Sequence, residues 1–163
     1  MEIRVSLHMF EPIPLNLPPY KAQLKRSAGK LFIFDILRRK YLQLTPEEWV
    51  RQHWVNFLQQ MGYPKNLMAI EAGLQVHGQA RRSDLMVYDK SGAPLLLAEF
   101  KAPSVKIDQK VIDQIAAYNI THKTPYLLVS NGLNHFIYRV NFSDGSVEAL
   151  LEFPFYQTLT NPE

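Results

Sequence analysis

Residues 94–103 read Pro-Leu-Leu-Leu-Ala-Glu-Phe-Lys-Ala-Pro, an apolar run closed by two opposite charges and a proline. The consecutive apolar residues Leu95 to Ala98 predict a strand buried on both faces. Side chains alternate along a strand, so Leu95, Leu97, Glu99 and Lys101 are expected on one face and Leu96, Ala98 and Phe100 on the other. Charges at the end of a buried strand are costly unless they are paired or coordinate a metal. Any fold of this chain must therefore bring the end of this strand to a place where a carboxylate and an ammonium are both satisfied.

A second strand is expected over Ser83–Tyr88, joined to the first by the turn Lys90-Ser91-Gly92-Ala93. Facing residues in an antiparallel hairpin have a constant index sum. A turn centred near residues 91–92 pairs Tyr88 with Leu95 and sets Asp84 beside Glu99. Two adjacent carboxylates repel unless a proton or a cation intervenes. Oxygen ligands of this kind beside a lysine suit Mg2+ or Mn2+. Spacing alone leaves two readings open, a hairpin salt bridge between Lys101 and one acid, or a divalent-cation site.

The rest of the chain supplies elements to pack around that hairpin. Thr45-Pro46-Glu47-Glu48 predicts a helix start, with Thr45 as cap, Pro46 at the first helical position and Glu48 completing a capping box. Val50, Trp54, Phe57, Leu58 and Met61 follow at helical spacing, and Gly62 ends the run. Met68–Val76 alternates as a strand, and residues 108–119 carry a helical stripe of Val111, Ile115 and Tyr118. Tyr126–Ser130, His135–Asn141 and a segment near 147–153 read as further strands. A helix between two buried strands implies a parallel crossover, while the hairpins imply antiparallel pairs. The expected class is therefore α/β (α+β), a central mixed sheet flanked by helices. Residues 1–29, with Pro12, Pro14, Pro18 and Pro19, read as an extended arm ahead of a single domain over 30–163. LFIF at 31–34 reads as a short strand, and residues 35–44 as a helical turn or loop.

Composition narrows the chemistry. The chain has 163 residues and no cysteine, which removes disulfides, thiolate zinc sites and cysteine nucleophiles and makes a cytoplasmic location the default expectation. No membrane helix or targeting segment is expected. The P-loop, GxSxG, HExxH and GxGxxG patterns do not occur, and the five histidines lack ligand spacing. Trp49, Trp54 and Tyr63 read as core residues rather than stacking platforms. The net charge is only +3, but residues 1–45 hold eight Lys/Arg against three Asp/Glu. That excess lies in Lys21, Lys25, Arg26, Lys30, Arg38, Arg39 and Lys40, which form either a solvated face or an attractor for a polyanion.

Asp84, followed on the next strand by Glu99-Phe100-Lys101, resembles the signature of the PD-(D/E)XK nuclease superfamily. The wider series is more specific. LTPEEWVRQH at 44–53, GYP at 62–64, Glu71, RRSDLMVYD at 81–89, LAEFKAP at 97–103, Gln114 with Tyr118-Asn119, and SNG at 130–132 together resemble the N-terminal nuclease domain of type I restriction enzyme R subunits. The site motif has Ser83 where the superfamily more often has proline.

The resemblance implies a restriction-endonuclease-like fold and Mg2+-dependent (or Mn2+-dependent) hydrolysis of DNA phosphodiester bonds. Asp84, Glu99 and the Phe100 carbonyl would ligate the ion, and Lys101 would orient the attacking water. Of the helix acids, Glu47 is expected on the inward stripe near the site, with Glu48 second. Gln114 and Tyr118, and the flanking Arg81, Arg82, Lys106 and Lys110, are expected to contact DNA; for Gln114 and Tyr118 a simple surface pair is the other reading. R subunits of this family continue into a helicase motor that these residues do not contain, so the resemblance also implies a separate motor or specificity subunit as partner. The alternative is a nuclease-fold module without turnover that binds DNA or a partner protein.

Overall fold

The computed structural model describes residues 10–70, 74–76, 79–81 and 84–161, with the backbone alone at 74–76 and 79–81. In chain order the elements are β1 (Leu24–Ser27), β2 (Lys30–Asp35), β3 (Lys40–Gln43), α1 (Pro46–Gln60), β4 (Met68–Ala69), β5 (Leu74–Val76), β6 (Gln79–Arg81), β7 (Leu85–Tyr88), β8 (Pro94–Phe100), α2 (Gln109–His122), β9 (Tyr126–Ser130), β10 (His135–Val140), β11 (Val147–Leu150) and α3 (Tyr156–Thr160).

Six strands form one mixed sheet in the order β11-β10-β9-β8-β7-β4. β8 lies inside it, antiparallel to β7 and parallel to β9, with α2 as the crossover between β8 and β9. Alternation along the strands feeds two cores. Val50, Trp54 and Leu58 of α1 pack on Leu85, Val87, Leu96, Ala98, Phe100 and Leu128. On the opposite face, Ile115 and Tyr118 of α2 pack on Met86, Leu97, Leu127 and Val129. Leu95 departs from the expected face and joins the α1 side. The register shifts between Val87 and Tyr88, pairing Tyr88 with Pro94 rather than Leu95, and this bulge reverses the alternation at the start of β8.

The predicted strand over 68–76 is divided. Met68–Ala69 joins the central sheet against β7, whereas Leu74–Val76 pairs with Gln79–Arg81 as a separate ribbon. The last strand stops at Leu150, and α3, which carries the buried residues Tyr156 and Leu159, completes the α1-side core.

The N-terminal third differs most from expectation. A boundary between an arm at 1–29 and a domain at 30–163 would cut a hairpin, because β1 pairs with β2 across Ala28-Gly29. Both turn residues have positive φ, 50° and 74°, as a two-residue hairpin turn of matching twist requires. Residues 35–44 are a tight loop followed by β3, not a helical turn: the Asp35 carboxylate accepts hydrogen bonds from the Leu37 and Arg38 N–H groups and turns the chain back.

Upstream, residues 13–20 lie against α1 and the 130–135 corner. The Trp49 indole donates to the Ile13 carbonyl, and Asn16 N donates to the Gly132 carbonyl at 2.8 Å. His135 Nε2 meets the Asn16 carbonyl at 2.7 Å while its Nδ1 meets Ser130 Oγ. Tyr20 packs edge-on against His53. Covered by Tyr20 on this side, α1 buries His53 along with its apolar stripe.

Gly132 sits where this strap crosses the corner. Its φ is +85°, and a Cβ there would come within 2.8 Å of Leu15 Cδ2 and 3.1 Å of Val50 Cγ2. Gly132→Ala is therefore expected to destabilise the fold by about 1–3 kcal/mol, read as a lowered urea midpoint.

Candidate functional site

The site forms where β7 begins and β8 ends. Register pairs Leu85 with Ala98 and Met86 with Leu97, so the index sum expected from the turn holds through this stretch and brings Asp84, one residue before β7, to the end of β8. Asp84 Oδ2 accepts a 2.6 Å hydrogen bond from the Phe100 N–H. Its Oδ1 accepts from Arg51 Nη2 of α1 at 3.0 Å. Glu99 Oε1 and Lys101 Nζ form a 3.1 Å ion pair, both partly exposed. Phe100 turns its ring the other way, buried and stacked on Trp54.

The end of β8 is fixed by its neighbour. Lys101 N donates to the Ser130 carbonyl at 2.9 Å, and Asn131 Nδ2 holds the Val105 carbonyl beyond Pro103. The SNG segment thus braces the strand end that carries Glu99 and Lys101.

The helix acid is a correction. Glu47 is exposed on α1, while Glu48 is partly buried and binds Arg51 Nη1, with Gln52 Nε2 at 3.2 Å from its other oxygen. Thr45 Oγ1 caps the helix by accepting from Glu48 N, but the Glu48 carboxylate points to Arg51 rather than closing the capping box. Helical phase alone favoured Glu47; the buried guanidinium three residues on draws Glu48 inward instead. Arg51 is the residue that spacing did not single out. It joins two carboxylates from two elements, and its i, i+3 relation to Glu48 was the available signal.

Of the expected DNA contacts, Tyr118 is a further correction. It is 8% exposed, packs in the α2-side core and lies against the His122 ring, so it cannot present itself to a ligand. Gln114, four residues earlier, is exposed, as are Lys106 and Lys110. The Arg81 side chain and Arg82, like Glu71, lie outside the described residues. Trp54 and Tyr63 are core residues, as expected.

Electrostatically the site is poised. Burial, and next the negative charge of Asp84, push the Glu99 carboxyl up to about 7, with Lys101 and Arg51 opposing. Among the described residues no three His, Asp or Glu side chains form a metal-holding group. The carboxylates on offer are those of Asp84 and Glu99, a pair that would suit Mg2+, an ion commonly held by one or two protein carboxylates with waters completing its shell.

Residues 46–154 match the family described as type I restriction enzyme R protein N terminus (HSDR_N). The chain belongs to that family. A search of the curated proteins returned no match. Among solved structures, the fold is similar to a fragment assigned to an HsdR subunit of a type I restriction enzyme from Vibrio vulnificus YJ016, with TM-score 0.50 and 18% identity. That match covers 72% of this chain and 25% of the other, so this chain spans about a quarter of the length of that one. With the six-stranded mixed sheet between helices, this likeness supports the restriction-endonuclease-like architecture.

Two outcomes follow from the charges. Arg51→Met leaves Glu48 and Asp84 without their shared cation and is expected to cost about 2–4 kcal/mol in urea denaturation. For Glu99 the folded pKa of about 7 exceeds the ordinary 4.5, so the folded chain holds a proton that the unfolded chain releases between these values. Stability of the metal-free protein therefore falls as pH rises through that window and stays lowered above it. Glu99→Gln should raise the melting temperature at pH 8 and lose that advantage near pH 4.5; an equal effect at both values would refute this assignment.

Proposed function

We propose that this domain is a divalent-cation-dependent DNA endonuclease of the PD-(D/E)XK type. The observation that carries the reading is the convergence of Asp84, Glu99 and Lys101 at one end of the β7–β8 pair. Asp84, Glu99 and the Phe100 carbonyl would hold Mg2+ or Mn2+. Such an ion, when bound, polarises the phosphoryl oxygen and lowers the pKa of its water.

The protein's own groups have separable tasks. Arg51 and the Phe100 N–H fix the Asp84 carboxylate from two sides, which sets its orientation before any ligand arrives. Glu48 acts from α1 through Arg51 rather than at the reacting centre. The Lys101 ammonium, held by Glu99 and open to solvent, is placed to orient a water and to stabilise negative charge on a phosphate. Lys106, Lys110 and Gln114, exposed on the segment that follows, would bind the DNA backbone, which positions a duplex without reading its sequence. Arg81 and Arg82 remain candidates for the same task. Family membership supports a restriction-modification setting.

A second reading, a DNA-binding or partner-binding module without turnover, is favoured by one feature: both Asp84 oxygens already accept from protein donors. Purified full chain incubated with supercoiled plasmid and Mg2+ or Mn2+ separates the two. The nuclease reading expects nicking or linearisation that Lys101→Ala lowers by about 10²-fold or more, with an unchanged melting curve. Cleavage insensitive to Lys101→Ala overturns it. Intact plasmid under every divalent ion, with DNA still bound, establishes the second reading instead.

A further inference from the structure

We infer that the outer face of the β1–β2–β3 sheet is a second nucleic-acid site, built for single strands. Register assigns the faces. Leu24, Arg26, Leu31, Ile33, Asp35, Lys40 and Leu42 share the inner face, where Ile33 and Asp35 are fully buried. Lys25, Lys30, Phe32, Phe34, Tyr41 and Gln43 share the outer one.

The outer face has an unusual content for a surface. Phe32, Phe34 and Tyr41 stand on adjacent strands, partly or openly exposed, and belong to neither hydrophobic core. Phe34 and Tyr41 pair directly in the register, with ring centroids 5.3 Å apart. Lys25, opposite Phe32, reaches across β2 and sets its ammonium 4.0 Å from the Tyr41 ring centroid.

The charge around these rings is one-sided. Residues 21–43 contain seven Lys/Arg and a single acid, Asp35. Asp35 is buried, and its carboxylate is bound to Arg38 and local N–H groups, so it offsets little of the surface potential. Lys25 and Lys30 stand exposed on the ring face itself, Lys21 and Arg39 are exposed beside the strands, and Arg26 and Lys40, also exposed, belong to the other face of the sheet.

Aromatic rings on a flat, cationic strand surface complement a ligand that carries both phosphates and free base faces. A duplex offers the phosphates but hides its base faces in the stack; a single strand offers both. A base stacking on Tyr41 would displace the Lys25 ammonium from the ring, and the same ammonium would then meet that nucleotide's phosphate. An acidic peptide would use the lysines but leave the ring array unused. This site is independent of the cleavage chemistry, since none of its residues belongs to the Asp84–Glu99–Lys101 cluster.

The test uses the full chain in EDTA, so that the nuclease centre holds no ion, with labelled oligothymidylate and oligouridylate of about 15 nucleotides and a duplex of equal length as probes. At least one single strand should bind more tightly than the duplex. The pair Phe34→Leu and Tyr41→Leu, which keeps an apolar β surface, should weaken single-strand binding about fivefold or more and leave duplex binding unchanged. Lys25→Gln with Lys30→Gln, two exposed positions, should reduce the slope of log K against log salt by about 1.4. The proposal is overturned if the duplex binds as well as both single strands, or if the leucine pair folds and binds with full affinity. Should the leucine pair fail to fold, an unchanged salt slope in the glutamine pair overturns it equally.

Discussion

The carboxylate of Asp84 is the joint on which the arrangement turns. One oxygen receives the Phe100 N–H at the end of β8, and the other receives a guanidinium from α1. A strand start, a strand end and a helix are thus tied by two hydrogen bonds to one side chain. Charge-assisted bonds of this type are about twice as strong as neutral ones and fix geometry as well as energy. Their effect is to hold Glu99 and Lys101 at a defined place rather than at a frayed sheet margin.

That order carries an electrostatic burden. Three carboxylates, Glu48, Asp84 and Glu99, lie within reach of two cations, Arg51 and Lys101. Burial first, and the charge of Asp84 second, raise the proton affinity of Glu99. A protein built for stability alone would place a neutral group there. Local conflict of this sort, maintained inside an otherwise consistent fold, is a common mark of a working site.

Much of this was legible in the sequence because its causes are local. The buried run Leu95–Ala98, the turn at 90–93 and simple alternation were enough to place Asp84 at the end of β8, and the helix after Pro103 was enough to require a parallel neighbour. What escaped depended on partners distant in sequence. The bulge at Tyr88 moved Leu95 to the other face. Glu48 rather than Glu47 turns inward because Arg51 has Asp84 to meet, 33 residues away. Tyr118 shares a helical face with an exposed Gln114, yet the sheet covers it. The hairpin at 24–35 turns on Ala28-Gly29, which lacks the Asn or Asp that usually signals such a turn.

The strap over α1 bears on where this domain begins. The family match opens at residue 46, at the first turn of α1. Physically the helix is not complete there: Trp49 and His53 meet the chain running from Ile13 to Tyr20, and Leu15 and Leu17 contribute to the same apolar cluster as Trp54. The evolutionary module and the folding module therefore have different starting points. A fragment cut to the family's limits would wet the back of the very helix that steadies Asp84, so harm to the far end of that helix could arise from removing residues that never approach it.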